Sequence, residues 1–238
     1  MQTVRPLNEP AAEPLPEIHC PEIPPFDASQ LSEVRRAFAT APRCGLRQAW
    51  LSREEPRFAP AYVQLGWRNT SLHLFAELQD EDVFSNATQL NQRTWEIGDV
   101  FEMFLGADAH ESYVELHVTP NNHRLQLRYP DVAAIENARR TRDLTPVLLR
   151  DAAFHSQTWV SGNGWQVYAE VPSRIVSGHD ASLELARWRF SFARYDYTRG
   201  IPQPVISCTS PHLHPDFHRQ REWGFLAFEP ALRFQIDA

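Results

Sequence analysis

Lysine is absent from this 238-residue chain. The 23 basic residues are all arginine, and 30 aspartates and glutamates leave a net charge of −7. A nucleic-acid backbone needs clustered positive charge, so this balance argues against nucleic acid as a partner. Arginine's planar fork suits bidentate contacts to carboxylates or hydroxyls. A GC-rich genome would give the same bias. Cysteine is scarce: Cys20, Cys44 and Cys208 match no zinc or redox spacing. The odd count reads as reduced, buried thiols, with one disulfide plus a free thiol as the alternative. No apolar run approaches the length of a membrane span. A secretory leader is missing too, because Met1 to Leu15 carries prolines and acids where a basic end and an apolar run should be. The sequence as it stands therefore reads as cytoplasmic. Removal of a leader would make it secreted or periplasmic.

What is present is globular. Hydrophobic residues are 42% and aromatics 11%, enough for a sizeable core without disulfides. The clearest pattern runs from Trp95 to Pro120. Val100, Glu102 and Phe104 alternate with Phe101, Met103 and Leu105, as in a strand. After the polar turn Gly106 to Glu111, Val114, Leu116 and Val118 alternate with Tyr113, Glu115 and His117. One sheet face is thus apolar; the other carries a ring, carboxylates and an imidazole. Hairpins are also predicted for Tyr62–Trp67 with Ser71–Leu78, and for Phe154–Val160 with Trp165–Val171 about a Gly-Asn-Gly turn. Strands are expected at Cys44–Leu51, His123–Tyr129, Val147–Leu149, Arg187–Tyr195 and Val205–Ser207. A short helix fits 27–40, and a helical turn fits 132–139. The fold class is all-β: a single antiparallel β-sandwich of about ten or more strands with few short helices. The divisions are a Pro-rich N-terminal arm at 1–25, the sandwich at 26–230 and a C-terminal tail at 231–238.

Several segments together resemble the family 9 carbohydrate-binding modules and the wider DOMON-like β-sandwich group. Trp95, Gly98, Asp99, Glu102 and Phe104 follow the family's W-x-G-D-x-V/F-E-x-F, with one extra residue before Gly98. Tyr113 to Pro120 follows its next strand. Gly164-Trp165 through Val171-Pro172 matches G-W-x-x-E-x-x-I-P with the carboxylate displaced to Glu170. Trp188, Arg189 and Arg194 fit W-R-x-N-x-x-R with Ser191 for Asn. Phe217 to Phe228 is similar to the family's closing F-H-x-P-E-x-F/W-G-x-L-x-F. The resemblance implies a non-catalytic carbohydrate-binding domain that takes a glycan end or a short oligosaccharide.

Sugars are held by flat rings against their C–H faces and by polar side chains at their hydroxyls. The candidate ligand-binding residues are Trp95, Glu102, Tyr113, Glu115, His117 and Arg194. Strand parity predicts that Glu102, Tyr113, Glu115, His117 and Arg194 share one surface, with Glu102 as the partner of Arg194. A structural Arg–Glu pair is the competing role. Two other functions stay open. One is a sugar-active hydrolase using Glu102 and Glu115, since glycosidases need two carboxylates in different protonation states. The other is a structural or partner-binding sandwich without a sugar site. No cofactor is expected, although Asp80 and Asp82 offer calcium-type oxygen donors. His212, His214 and His218 are candidate ligands for a transition metal.

Overall fold

The computed structural model describes residues 14–108 and 110–230; residues 1–13 of the predicted arm and the predicted tail 231–238 lie outside the described residues. Alternating apolar residues build two packed sheets. The first half of the chain gives β1 (Glu17–Cys20), α1 (Leu31–Ala37), β2 (Arg43–Gly45), β3 (Ala61–Arg68), β4 (Ser71–Gln79), β5 (Val100–Ala107) and β6 (Tyr113–Val118). The second half gives β7 (Arg124–Tyr129), α2 (Val132–Thr141), β8 (His155–Ser161), β9 (Gly164–Pro172), α3 (Ser173–Ser177), β10 (Arg187–Asp196), β11 (Val205–Cys208) and β12 (Gly224–Phe228). One sheet has seven strands in the order β1-β12-β10-β5-β6-β7, with β11 also pairing to β10. The other has five, in the order β2-β3-β4-β9-β8. The pairs are antiparallel except β1 with β12, which run parallel. The described end of the arm is thus a strand of the larger sheet.

The inner faces meet in one core. Leu72, Leu74, Trp165 and Val167 from the smaller sheet pack against Phe101, Met103, Val114 and Leu116 from the larger. Burying side chains of this size contributes about 1.5–3 kcal/mol each. Both outer faces are partly covered as well. Phe75 and Tyr168 lie under α1 with Val34 and Phe38. Leu125, Leu127 and Tyr129 of β7 lie under α2.

Three elements differ from the sequence expectation. The predicted turn at 132–139 is a full helix, because the Asp131 carboxylate caps it by accepting from the Ala134 N–H at 2.8 Å. Ile135 and Ala138 then bury on one side. The predicted strand 44–51 shortens to β2, after which Arg47 bridges to Cys208 on the other sheet. The predicted strand 147–149 is a 3-10 turn, Thr145–Val147, followed by a single bridge from Leu148 to Leu127.

Gly98 fixes the entry to β5. Its φ is +144°, and a Cβ there would lie 2.7 Å from the Phe84 carbonyl oxygen. That close approach lets Asp99 accept from the backbone N–H groups of Phe84 and Tyr197 at 2.7 and 2.8 Å.

Candidate functional site

Glu102 and Phe104 of β5, with Tyr113, Glu115 and His117 of β6, occupy the outer face of the seven-stranded sheet. The pairing of Glu102 with His117 and of Phe104 with Glu115 sets their order. His117 is the centre of the polar group. Its Nε2 lies 2.8 Å from Glu115 Oε1 and 3.4 Å from Glu102 Oε1. Its Nδ1 lies 2.8 Å from the Thr94 hydroxyl. All of these groups are buried. Burial, reinforced by the Glu115 charge and opposed by His117, pushes Glu102 up to about 8. Burial also acts to raise Glu115, but His218 and His117 outweigh it and hold that carboxyl below the usual range. Burial disfavours a charged His117, yet Glu102 and Glu115 together raise its proton affinity. The environment thus raises Glu102 and lowers Glu115, setting the two carboxyls apart on either side of His117.

His218 borders this group from the chain after β11. The Tyr113 hydroxyl lies 2.5 Å from its Nδ1. Burial lowers its proton affinity, and the neighbouring Glu115 charge works against that. Its Nε2 faces Glu115 Oε2 across 3.8 Å, too far for a hydrogen bond. Glu115 Oε2 is buried with no hydrogen-bond partner, an acceptor without a donor.

Above this floor is a pocket of about 470 Å³. Glu102, Phe104, Glu115 and Tyr195 line its base. One wall is α2, through Ile135 and Arg139; another is the 215–218 segment; Trp95 forms a third. Trp95 is held by a 3-10 turn, Thr94–Glu96, whose Trp95 carbonyl accepts from the Tyr197 hydroxyl at 2.6 Å. Its ring stands edge-on to His117 at 5.6 Å between centroids. Three arginines stand at the rim. Arg93 and Arg142 both reach Glu96, at 3.3 and 3.0 Å, and Arg139 reaches Asp216 at 2.5 Å. Such exposed pairs are each worth about 0–1 kcal/mol, so a polar ligand competes with them at low cost.

The six predicted site residues divide three ways. Trp95, Glu102 and Glu115 line the pocket. Tyr113 and His117 are buried beneath it and orient its groups. The prediction for Arg194 is corrected. Register sets Ala193, not Arg194, opposite Glu102, and puts Arg194 opposite Phe101 on the inner face. Arg194 therefore cannot pair with Glu102. Its guanidinium lies 3.0 Å from Asp80 and 3.1 Å from Asp196.

Asp80, Asp82, His212 and His218 of the candidate metal ligands are likewise engaged within the protein. Carboxylate atoms of Asp80, Asp99 and Asp196 come within 4.8 Å of one another, with Arg194 supplying the positive charge. Asp82 turns instead to Arg199. His212 bonds Glu222 through Nδ1 at 2.9 Å, His218 bonds Tyr113, and His214 is exposed.

Sequence reasoning missed Arg93, Arg139, Tyr195 and Asp216. The Asp131 cap and the i, i+3 spacing of Ile135 and Ala138 were the available signal for α2 and its arginines.

This architecture defines the fold class: a two-sheet, mostly antiparallel β-sandwich. It is similar to a candidate carbohydrate-binding protein from Bacteroides uniformis ATCC 8492, with a TM-score of 0.71 at 14% identity over 90% of this chain and 99% of that one. It is also similar to a family 9 carbohydrate-binding module from Caldicellulosiruptor kristjanssonii. In complex with cellotriose, that module matches with a TM-score of 0.62 at 15% identity, over 94% of this chain and 97% of that one. In complex with glucose, the match has a TM-score of 0.63 at 15% identity, over 92% and 100%. No protein-family model matches the sequence, and no curated protein is similar to it by sequence. The chain thus has the fold of the family 9 modules.

Proposed function

We propose that the protein is a non-catalytic carbohydrate-binding domain, and that the pocket beside Trp95 takes a glycan end or a short oligosaccharide. The observation that carries this reading is the combination lining one cavity: an indole, the Glu102 and Glu115 carboxyls, and arginines whose rim pairs are weak. A pyranose presents C–H faces to a ring and hydroxyls to carboxyls and guanidiniums, so each group has a counterpart. The volume falls within the range of small-ligand sites. The glucose and cellotriose complexes of a module with this fold support a sugar as the ligand. A glycan array followed by calorimetric titration tests the reading. Selective binding that Trp95→Ala removes supports it. A protein that ignores every sugar on the array is instead a structural or partner-binding sandwich.

One observation favours a second reading. Glu102 is pushed up while Glu115 is held down, and a glycosidase requires two carboxyls set apart in this way. Against it, both carboxyls meet at His117 Nε2, which occupies the space between them. Release of reducing sugar from the bound glycans separates the two readings.

A further inference from the structure

A second cavity, of about 520 Å³, lies on the same sheet face, and His218 lines both. Four of the segments bordering the first cavity continue to the second. Strand β5 supplies Glu102 and Phe104 to the first, and the chain just past its end supplies Asp108 to the second. Strand β10 supplies Tyr195 to the first and Arg189 to the second. Helix α2 gives Arg139 to the first and Val132, at its opposite end, to the second. The closing segment gives Pro215 to His218 to the first and His218 to Glu222 to the second. The shared borders run in one direction and meet at His218, which lines both cavities.

We infer that the two cavities are halves of one groove, which holds a linear glycan of more than one residue passing over His218. This inference rests on the proposed sugar-binding role and adds the ligand's length and direction. The groove is long enough. From Val132 to Arg142 the helix rises about 15 Å. From Glu102 to Asp108 the chain advances about 20 Å. A pyranose unit is about as long as one helical turn, roughly 5 Å. One ring fills only the half beside Trp95.

The second half suits a sugar's hydroxyls. Arg189 is held by Asp108 at 3.1 Å and donates to the Gln220 carbonyl at 3.0 Å, so its guanidinium is fixed. Arg221 and His110 are exposed around it. Val132, 52% exposed, offers the apolar contact. Opposite charges are mixed through this half, which fits an uncharged chain better than a polyanion.

The test compares glucose, xylose and mannose with their β-1,4-linked trimers by calorimetry. For the sugar that binds, the wild-type protein is expected to hold the trimer at least tenfold tighter than the monomer. Val132→Trp, which fills the second half, and Arg221→Ala, at an exposed position, are each expected to remove most of that gain. Both should leave monomer affinity and the far-ultraviolet spectrum unchanged. Equal affinity for monomer and trimer overturns the groove while leaving the sugar site intact. So does a gain that survives both substitutions, which would mean that the trimer leaves the pocket by another route. Absence of binding to all six sugars overturns the groove together with the function on which it rests.

Discussion

Arg194→Ala removes a positive charge from the interior. The guanidinium is 1% exposed at the side chain, and its partners Asp80 and Asp196 are 2% and 12% exposed. Asp99 adds a third carboxyl to the same cluster. Substitution leaves these groups buried without their cation. Breaking a buried pair in this way costs about 3–5 kcal/mol. For a chain of this size that corresponds to a fall in melting temperature of roughly 6–20 °C. The loss depends on pH. Burial, with Asp80 adding and Arg194 opposing, already pushes Asp196 up to about 7. A raised acid stabilises the fold below its unfolded value near 4, and that contribution disappears as pH rises through the folded value. Without Arg194 the folded value climbs further, so the variant is expected to lose more stability between pH 4 and pH 8 than the wild type. Urea unfolding at pH 5 and pH 7.5 measures both quantities. Sugar affinity of the folded variant should be unchanged, because Arg194 lies on the inner face. A loss below about 1 kcal/mol at pH 7.5, or loss of sugar binding in a folded variant, would refute the reasoning.

Trp95→Ala should weaken binding of the preferred glycan at least tenfold, about 1.4 kcal/mol; unchanged affinity in calorimetry would remove the ring from the site. Glu102→Gln keeps the shape of a protonated carboxyl. Since Glu102 is raised to about 8, wild-type stability from this group is lost as pH rises from about 4.5 through 8. The variant should flatten that slope by an order of a few kcal/mol, read from urea midpoints across this range. Gly98→Ala forces a Cβ against the Phe84 carbonyl at a φ that side chains rarely adopt. It should lower the melting temperature, at a cost on the order of 1–3 kcal/mol, and a neutral outcome in calorimetric scanning would contradict the φ assignment. Millimolar calcium should leave the wild-type melting temperature unchanged and raise that of Arg194→Ala, since the aspartates then lack their internal cation.

The strands were legible because one buried face writes its period into the sequence. Val114, Leu116 and Val118 against Tyr113, Glu115 and His117 could be read without any partner. Register between strands could not. Arg194 shares the phase of Trp188, Phe190 and Phe192, and alternation alone placed those four together correctly. Whether that phase faces Glu102 or Phe101 depends on a one-residue offset between β10 and β5, which neither strand's own pattern encodes. Strand β7 shows that polarity alone does not assign a face. There Leu125 and Leu127 face outward and Gln126 inward, because α2 covers the outer side. The base of the pocket was legible because Trp95, Glu102 and Glu115 lie close together in sequence. Its walls come from α2, β10 and the 215–218 segment, brought together only by the fold.

The parallel pairing of β1 with β12 has a mechanical consequence. Glu17 to Cys20 align with Phe225 to Phe228, so the first and last described strands lie side by side and point the same way. Backbone bonds from Phe225 to Pro16 and from Glu229 to Cys20, at 2.8 and 2.9 Å, extend that seam at both ends. Tension applied to the two ends of the sandwich pulls β1 backward and β12 forward along their common axis. The seam is loaded in shear, and its hydrogen bonds must fail together instead of opening one after another like a zipper. A sandwich anchored through both ends would thus present its pocket under load without yielding strand by strand.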